Sequence, residues 1–269
     1  VEERYQPLLA SAQGEELARL KEHYAYDRRA ARKQRYITQI QMIFQETSAS
    51  FDPEFSLERI LEEPLVIQKK GSKKEREKRV AEMLGLVQME KIDVRKTTAT
   101  LSGGQRQRIA VARALLLNPE LLICDESFSS QDILTQSQLL ELLEEIQRKT
   151  QLSYLFISHD LRIIKHFCDR VMVMYLGNIV ELADAQELFN NPKHPYTEAL
   201  MNAIPTTDFD TNREIQILEG DIPSPVNPPS GCRFRTRCPY ATERCAAEVP
   251  EFKDYGGGHY AACHRIGEV

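Results

Sequence analysis

Leu101-Ser102-Gly103-Gly104-Gln105, then an amphipathic run from Arg106 to Leu117, then Leu121-Leu122-Ile123-Cys124-Asp125-Glu126: the reading of this stretch decides the fold. Ser102 with Gln105 three residues on is a capping-box pattern, which predicts a helix start with the N–H groups of Gly103 and Gly104 at its positive end. Such an end holds anions, and the glycines remove the Cβ atoms that would keep a bulky phosphate chain off the backbone. Asn118-Pro119 stops the helix, and Leu121 to Cys124 reads as a short parallel strand covered on both faces. At the carboxyl end of such a strand, Asp125 could hold Mg²⁺ and Glu126 could orient or deprotonate an attacking water. The alternative is an ordinary strand-to-loop junction with solvated acids.

Bulk properties narrow the class. A chain of 269 residues can bury one core, or one core and a smaller appendage. The net charge of −5, from 35 basic and 40 acidic residues, gives no overall footprint for nucleic acid. No apolar run has the length to span a bilayer, and the charged N-terminal stretch is not a signal peptide. The expectation is a cytoplasmic chain that meets a membrane only through a partner.

Upstream, residues 1–36 are rich in Glu, Arg, Lys, Ala and Tyr and predict one or two exposed helices, Glu15 to His23 and Tyr26 to Tyr36. None of the twelve glycines belongs to a G-x-x-x-x-G-K-[ST] motif. Ile40 to Phe44 is an apolar strand pattern ending at Gln45, broken by Ser48-Ala49-Ser50-Phe51-Asp52-Pro53. Phe55 to Val66 and Lys73 to Leu86 are helical, with Leu57, Ile60 and Leu61 on one face and Val80, Met83 and Leu84 on another. The basic run Lys69 to Arg79 is interleaved with acids and lacks aromatics, which marks a solvated surface. Downstream, the spacing predicts a helix over Ile133 to Lys149, a strand over Ser153 to Ser158 that leaves His159 at its carboxyl end, and a helix closing at Cys168. A strand over Arg170 to Tyr175 and a tight turn at Leu176-Gly177-Asn178-Ile179 follow.

In this order and at these spacings, the motifs resemble those of the nucleotide-binding subunits of ABC transporters. Leu101 to Gln105 matches that family's signature letter for letter, Asp125-Glu126 stands at its second acidic motif and Ser129-Ser130-Gln131-Asp132 at its D-loop. His159 matches the switch histidine and Gln45 the Q-loop glutamine. The resemblance implies an α/β fold with a P-loop NTPase-like (ABC ATPase) core and a helical subdomain. It also implies that ATP and Mg²⁺ are bound. Glu126, His159 and Gln45 would be catalytic; Ser102, Gly103, Gly104, Gln105 and Asp132 would contact the nucleotide; Asp125 and Gln45 would face Mg²⁺. Phe51 and Phe55 are candidates for contact with membrane subunits, or for the core. Ser127 stands where the family usually has proline, and Gln131 where it usually has leucine. Without the glycine loop the core is expected to be N-terminally incomplete, through a late start or true loss, and this chain is not expected to hydrolyse ATP alone.

The tail adds a narrower resemblance. Asn191-Pro192-Lys193-His194-Pro195-Tyr196-Thr197, Gly220-Asp221-Ile222-Pro223-Ser224-Pro225 and Pro228-Pro229-Ser230-Gly231-Cys232 resemble the C-terminal extension of oligopeptide, dipeptide and nickel importer ATPases. Its proline density predicts a rigid, irregular strap instead of a second sheet. Cys124 and Cys168 read as buried small hydrophobes. Cys232, Cys238, Cys245 and Cys263, spaced C-x5-C-x6-C-x17-C, suit an Fe–S cluster or structural zinc. The resemblance implies a [4Fe-4S] cluster on these four positions; Zn²⁺ is the alternative, with His259 or His264 replacing a thiolate.

The expected domains are 1–36, an N-terminal helical segment; 37–190, the ATPase domain with its helical subdomain at about 46–117; and 191–269, the Cys-rich extension. The expected function is an ATP-hydrolysing subunit that energises import of peptides or a similar small solute. It would act on the cytoplasmic face of the membrane with a homologous ATPase, two permease subunits and an extracytoplasmic binding protein. The alternative is a non-catalytic partner that lends only its signature helix to a second ATPase.

Overall fold

The computed structural model describes residues 2–46, 50–128, 131–203 and 218–266, in two compact units, Val1–Ile157 and Ser158–Val269. The first unit begins with α1 (Glu2–Ser11) and α2 (Gly14–Gln39). Gly14, at φ +59, takes the left-handed turn between them that a side chain would resist. The two helices expected from the N-terminal composition are one, because no breaker interrupts the run to Gln39. Tyr5 closes the pair, with its hydroxyl donating to Asp27 Oδ2 at 2.8 Å.

A three-stranded parallel sheet follows, in the order β1 (Ile40–Ile43), β2 (Leu121–Asp125), β3 (Ser153–Ile157). Ile43 stands beside Cys124, and Cys124 beside Phe156. Alternation puts Ile43, Leu122 and Cys124 on the covered face, all nearly inaccessible. The opposite face departs from the expectation of a strand covered on both sides. Met42, Leu155 and Ile157 remain 36%, 48% and 46% exposed, and Leu121 and Ile123 only half-buried. An apolar run reports that a strand can be buried; it does not report what lies over it.

Between β1 and β2 lies a helical group: α3 (Leu57–Ile67), α4 (Lys73–Leu86) and α5 (Gly103–Leu115), each packed on the other two. Ser56 caps α3 by accepting from Arg59 N, and Ser72 with Glu75 makes a full capping box on α4. Leu57, Leu61 and Leu65 point inward from α3, and Arg79 Nε ties α4 to the end of α5 by donating to Leu116 O at 2.7 Å. Phe51 is 5% exposed and therefore part of the core, while Phe55 lies under the Arg59 guanidinium, 3.4 Å from its ring centre. The basic run is solvated as expected, with Lys73–Glu77 and Lys78–Glu82 pairs one turn apart. After β2 comes α6 (Ile133–Thr150), with Leu139, Leu142, Leu143 and Ile146 buried.

The second unit contains α7 (Leu161–Phe167), β4 (Arg170–Tyr175), β5 (Asn178–Asp184), α8 (Ala185–Asn190) and α9 (Pro195–Asn202), then α10 (Glu243–Ala247), β6 (Lys253–Asp254) and β7 (Tyr260–Ala261). Leu176 and Gly177, at φ +45 and +77, form the two-residue hairpin turn that matches strand twist. The tail is not only a strap. Although the proline-rich stretch from 218 to 230 has no regular structure, β7 pairs with β5 and β6 with β7, extending the hairpin to the order β4-β5-β7-β6. Phe234, 1% exposed, sits among Tyr175, Tyr196 and His194, with ring centres 5.2, 5.4 and 5.6 Å away.

Candidate functional site

The helix start at Gly103 is built as the sequence indicates. Gln105 N donates to Ser102 Oγ at 3.3 Å and Ser102 N to Gln105 Oε1 at 3.0 Å, so both halves of the capping box are made. Ser102 is exposed and the glycines half-exposed, which leaves their amides open to an anion. The glycines have a second role that the sequence pattern did not disclose. A Cβ on Gly103 would lie 3.0 Å from Gln131 Oε1, and one on Gly104 only 2.6 Å from Thr135 Cγ2. The start of α6 therefore presses on the start of α5, and glycine is what lets it.

That press is held by Asp132. It caps α6, with Oδ1 accepting from Thr135 N at 2.9 Å and Oδ2 from Thr135 Oγ1 at 2.7 Å. The Thr135 backbone N–H, followed by its hydroxyl, holds the Asp132 carboxyl below the usual carboxylate range. Gln131 turns its amide toward Gly103 of its own chain. The preceding D-loop residues, Ser129 and Ser130, lie outside the described residues.

The acids lie together at the carboxyl end of β2. Asp125 ends β2 half-buried, and Glu126 follows in a left-handed conformation, φ +43, with its N–H donating to Ile157 O at 2.8 Å. A non-glycine residue held there is strained, and such strain collects at functional sites. Gln45 Nε2, just beyond β1, donates to Glu126 Oε2 at 2.8 Å. Two residues 81 positions apart are thus brought together by parallel pairing alone. Ser127 is buried beside Cys124, whose thiol is pushed up to about 12 by burial despite the Ser127 hydrogen bond. His159 is exposed at the beginning of the second unit. Beside it, Asp160 caps α7 and is held below the usual carboxylate range chiefly by Arg162.

Asp125, Gln45 and Glu126 supply oxygen donors of the kind Mg²⁺ takes. The Gln45 amide nitrogen is committed to Glu126, which turns its oxygen into the end suited to a hard cation.

In the second unit Cys232, Cys238, Cys245 and Cys263 line one cavity of about 70 Å³, together with His264. His259 is elsewhere, with both ring nitrogens on carboxylates, so it is no substitute ligand. Burial pushes the thiols of Cys232 and Cys263 up, and that of Cys238 to about 11.

This combination of a capped glycine helix start, an acid pair at a strand end and a facing glutamine defines an ABC-type ATPase domain. The comparisons agree. The ABC transporter family model matches residues 8–129, and the model for the oligopeptide/dipeptide transporter C-terminal region matches residues 180–245. A putative peptide import ATP-binding protein of Brucella ovis is 47% identical over 237 residues, 88% of this chain and 74% of the relative. The oligopeptide transport ATP-binding protein AppF of Bacillus subtilis is 46% identical over 227 residues, 84% of this chain and 69% of the relative. OppF of Escherichia coli, also named an oligopeptide transport ATP-binding protein, is 49% identical over 214 residues, 78% of this chain and 64% of the relative. Among solved structures, cbiO1 of Clostridium perfringens shares the fold, with a TM-score of 0.52 at 24% identity over 66% of this chain and 64% of that one. The chain belongs to the ABC transporter ATP-binding proteins that carry the oligopeptide/dipeptide transporter C-terminal region.

One expectation is overturned. The relatives are named as ATP-binding proteins with no cluster in their names. Among the described residues, the group of three or more His, Cys, Asp or Glu donors with ligand atoms within 4.8 Å is Glu58, Glu62 and Glu77, not the tail cysteines. The [4Fe-4S] assignment to Cys232, Cys238, Cys245 and Cys263 is therefore withdrawn. Sequence spacing counted thiols without showing whether they converge.

Proposed function

We propose that this chain is the ATPase subunit that energises import of peptides, or of a similar small solute, across the cytoplasmic membrane. The observation that carries the reading is the 2.8 Å bond from Gln45 to Glu126, which couples the end of β1 to the acid pair. The relatives' names, peptide import and oligopeptide transport, supply the solute class. Among the described residues no helix is long and apolar enough to cross a membrane. In this reading the chain works from the cytoplasmic face on two permease subunits fed by an extracytoplasmic binding protein.

In this reading Glu126 orients or deprotonates the attacking water, Gln45 positions both the water and Glu126, and His159 senses the terminal phosphate. Mg²⁺, held by Asp125 and Gln45, would neutralise charge on the phosphates. The amides of Gly103 and Gly104, with Ser102 and Gln105, face the triphosphate gripped by a homologous ATPase packed head to tail, and Asp132 lines the same seam. In the head-to-tail pairing that the family resemblance implies, the cradle opposite Ser102 lies on that second subunit. The ATPase domain would occupy 37–190 and the importer extension 191–269.

The test is ATP hydrolysis by the co-expressed complex. Glu126→Gln should lower turnover by ~10²-fold or more, the usual contribution of a positioned general base. Ser102→Arg should abolish the response at the seam. Wild-type turnover in both variants would remove this chain from any ATP site.

A further inference from the structure

Gln131 stands where the family usually has leucine, and the ATPase reading gives it no task. Its backbone N–H donates to Phe128 O at 3.3 Å, in a turn that brings the half-buried side chain to the start of α5. There the carboxamide lies along Gly103, where a Cβ would meet Oε1 at 3.0 Å, Nε2 at 3.3 Å and Cδ at 3.5 Å. The whole amide group therefore rests on bare backbone, and a side chain at 103 would push it away. Leucine in its place would offer only methyl groups; glutamine offers a carbonyl oxygen and an NH₂ donor.

The neighbouring polar groups are largely committed. Ser102 N and Gln105 N are used by the capping box, Ser102 O accepts from Arg106 N at 2.9 Å, and both carboxylate oxygens of Asp132 hold Thr135. Among the described residues, the N–H groups of Gly103 and Gly104 and the carboxamide of Gln131 have no hydrogen-bond partner. The helix orients that amide. Its positive end draws the carbonyl oxygen, and Oε1 is the nearer atom, so the NH₂ group is the end left for a ligand.

Building on the ATPase reading, we propose that Gln131 is a specificity residue whose Nε2 donates to the terminal phosphate of the triphosphate seated on Gly103 and Gly104, so that this helix start tells ATP from ADP. An anion held by those amides adjoins the carboxamide, because Gly103 carries both contacts. A donor facing a phosphate oxygen makes a charge-assisted hydrogen bond. A diphosphate has no oxygen at that place, so the bond is lost with the terminal phosphate.

The test is made in the co-expressed complex, with turnover against ATP and its inhibition by ADP measured together. Gln131→Met keeps the length of the side chain and loses the donor. It should raise the half-saturating ATP concentration about tenfold, the usual worth of a hydrogen bond to a charged group, and leave inhibition by ADP unchanged. Its melting temperature should match the wild type, since the lost carboxamide bonds to no described residue. Gln131→Glu sets a carboxylate against the phosphate and should raise the ATP requirement further. A wild-type ATP requirement in Gln131→Met, while Glu126→Gln still slows turnover, overturns this proposal and spares the ATPase reading. Equal weakening toward ATP and ADP also overturns it, because that marks a merely structural role. If Glu126→Gln and Ser102→Arg both turn over as wild type, the ATPase reading itself falls, and this inference with it.

Discussion

The helix start at Ser102 and the node at Glu181 solve the same problem, how to satisfy polar groups at a crowded place, from opposite directions. At Ser102 the partners are three residues apart, and the bonds are those any capping box makes. At Glu181, buried on β5, the partners Lys193, His194 and His259 come from 12, 13 and 78 residues away, and only the fold brings them together. Local solutions leave amides at the surface, where a ligand can use them; distant ones consume every donor and bind segments to each other. The contrast separates a site built for an outside anion from one built for internal attachment.

The largest stability effect is expected where the local solution meets the distant one. Gly104→Ala puts a methyl 2.6 Å from Thr135 Cγ2 and should destabilise the chain by about 1–3 kcal/mol through overpacking. Adding Thr135→Ser removes that methyl but keeps the hydroxyl on Asp132, so the double variant should recover most of the loss in a thermal-unfolding cycle. Strict additivity would mean that the press between α5 and α6 is not what demands glycine.

A middle-sized effect belongs to the second unit. Burial pulls His194 down to about 4, so the folded chain holds it neutral while the unfolded chain would protonate it near 6.5. Between those values the unfolded state binds more protons, so stability should fall as the solution is acidified from about pH 6.5 to 4, by on the order of 2 kcal/mol. His194→Asn keeps an acceptor for Tyr196 N at the cap of α9 and should remove that slope from the melting temperature. A slope of the same size in the variant would place its origin elsewhere.

The smallest change should be Ser102→Ala. Loss of the Oγ acceptor costs about 1 kcal/mol at a typical helix start, and Ser56→Ala should cost the same on α3. Equal losses in unfolding, with ATPase lost only for Ser102, would mark the first cap as the one that works on a ligand.

Much of this was legible in the chain. The bounds of α4 and β4, the cap at Ser102 and the turn at Leu176-Gly177 follow from spacing and turn chemistry, because each depends on neighbours within a few residues. Gln45, beyond the end of β1, and Glu126, beyond the end of β2, could be placed separately, but not their contact. The exposed face of the sheet, the buried state of Phe51 and the two short strands in the tail were missed, since an apolar residue or a proline-rich run carries no statement of what it meets. For His259, one histidine among six, the sequence suggested a zinc ligand and gave no sign of the two carboxylates it meets.

By itself, the sequence determined the elements from β1 to β5 and their order, the helix start offered to an anion and the acids at a strand's end, all set by interactions within a turn or two. Only the tertiary structure decided that Gln45 reaches Glu126, that Gly104 must stay bare for Thr135, and that His259 is shared by two carboxylates while the four tail thiols line one cavity without three of them coming within 4.8 Å of one another. Each of those depends on a distance between residues far apart along the chain, which parallel pairing and burial decide and local chemistry does not.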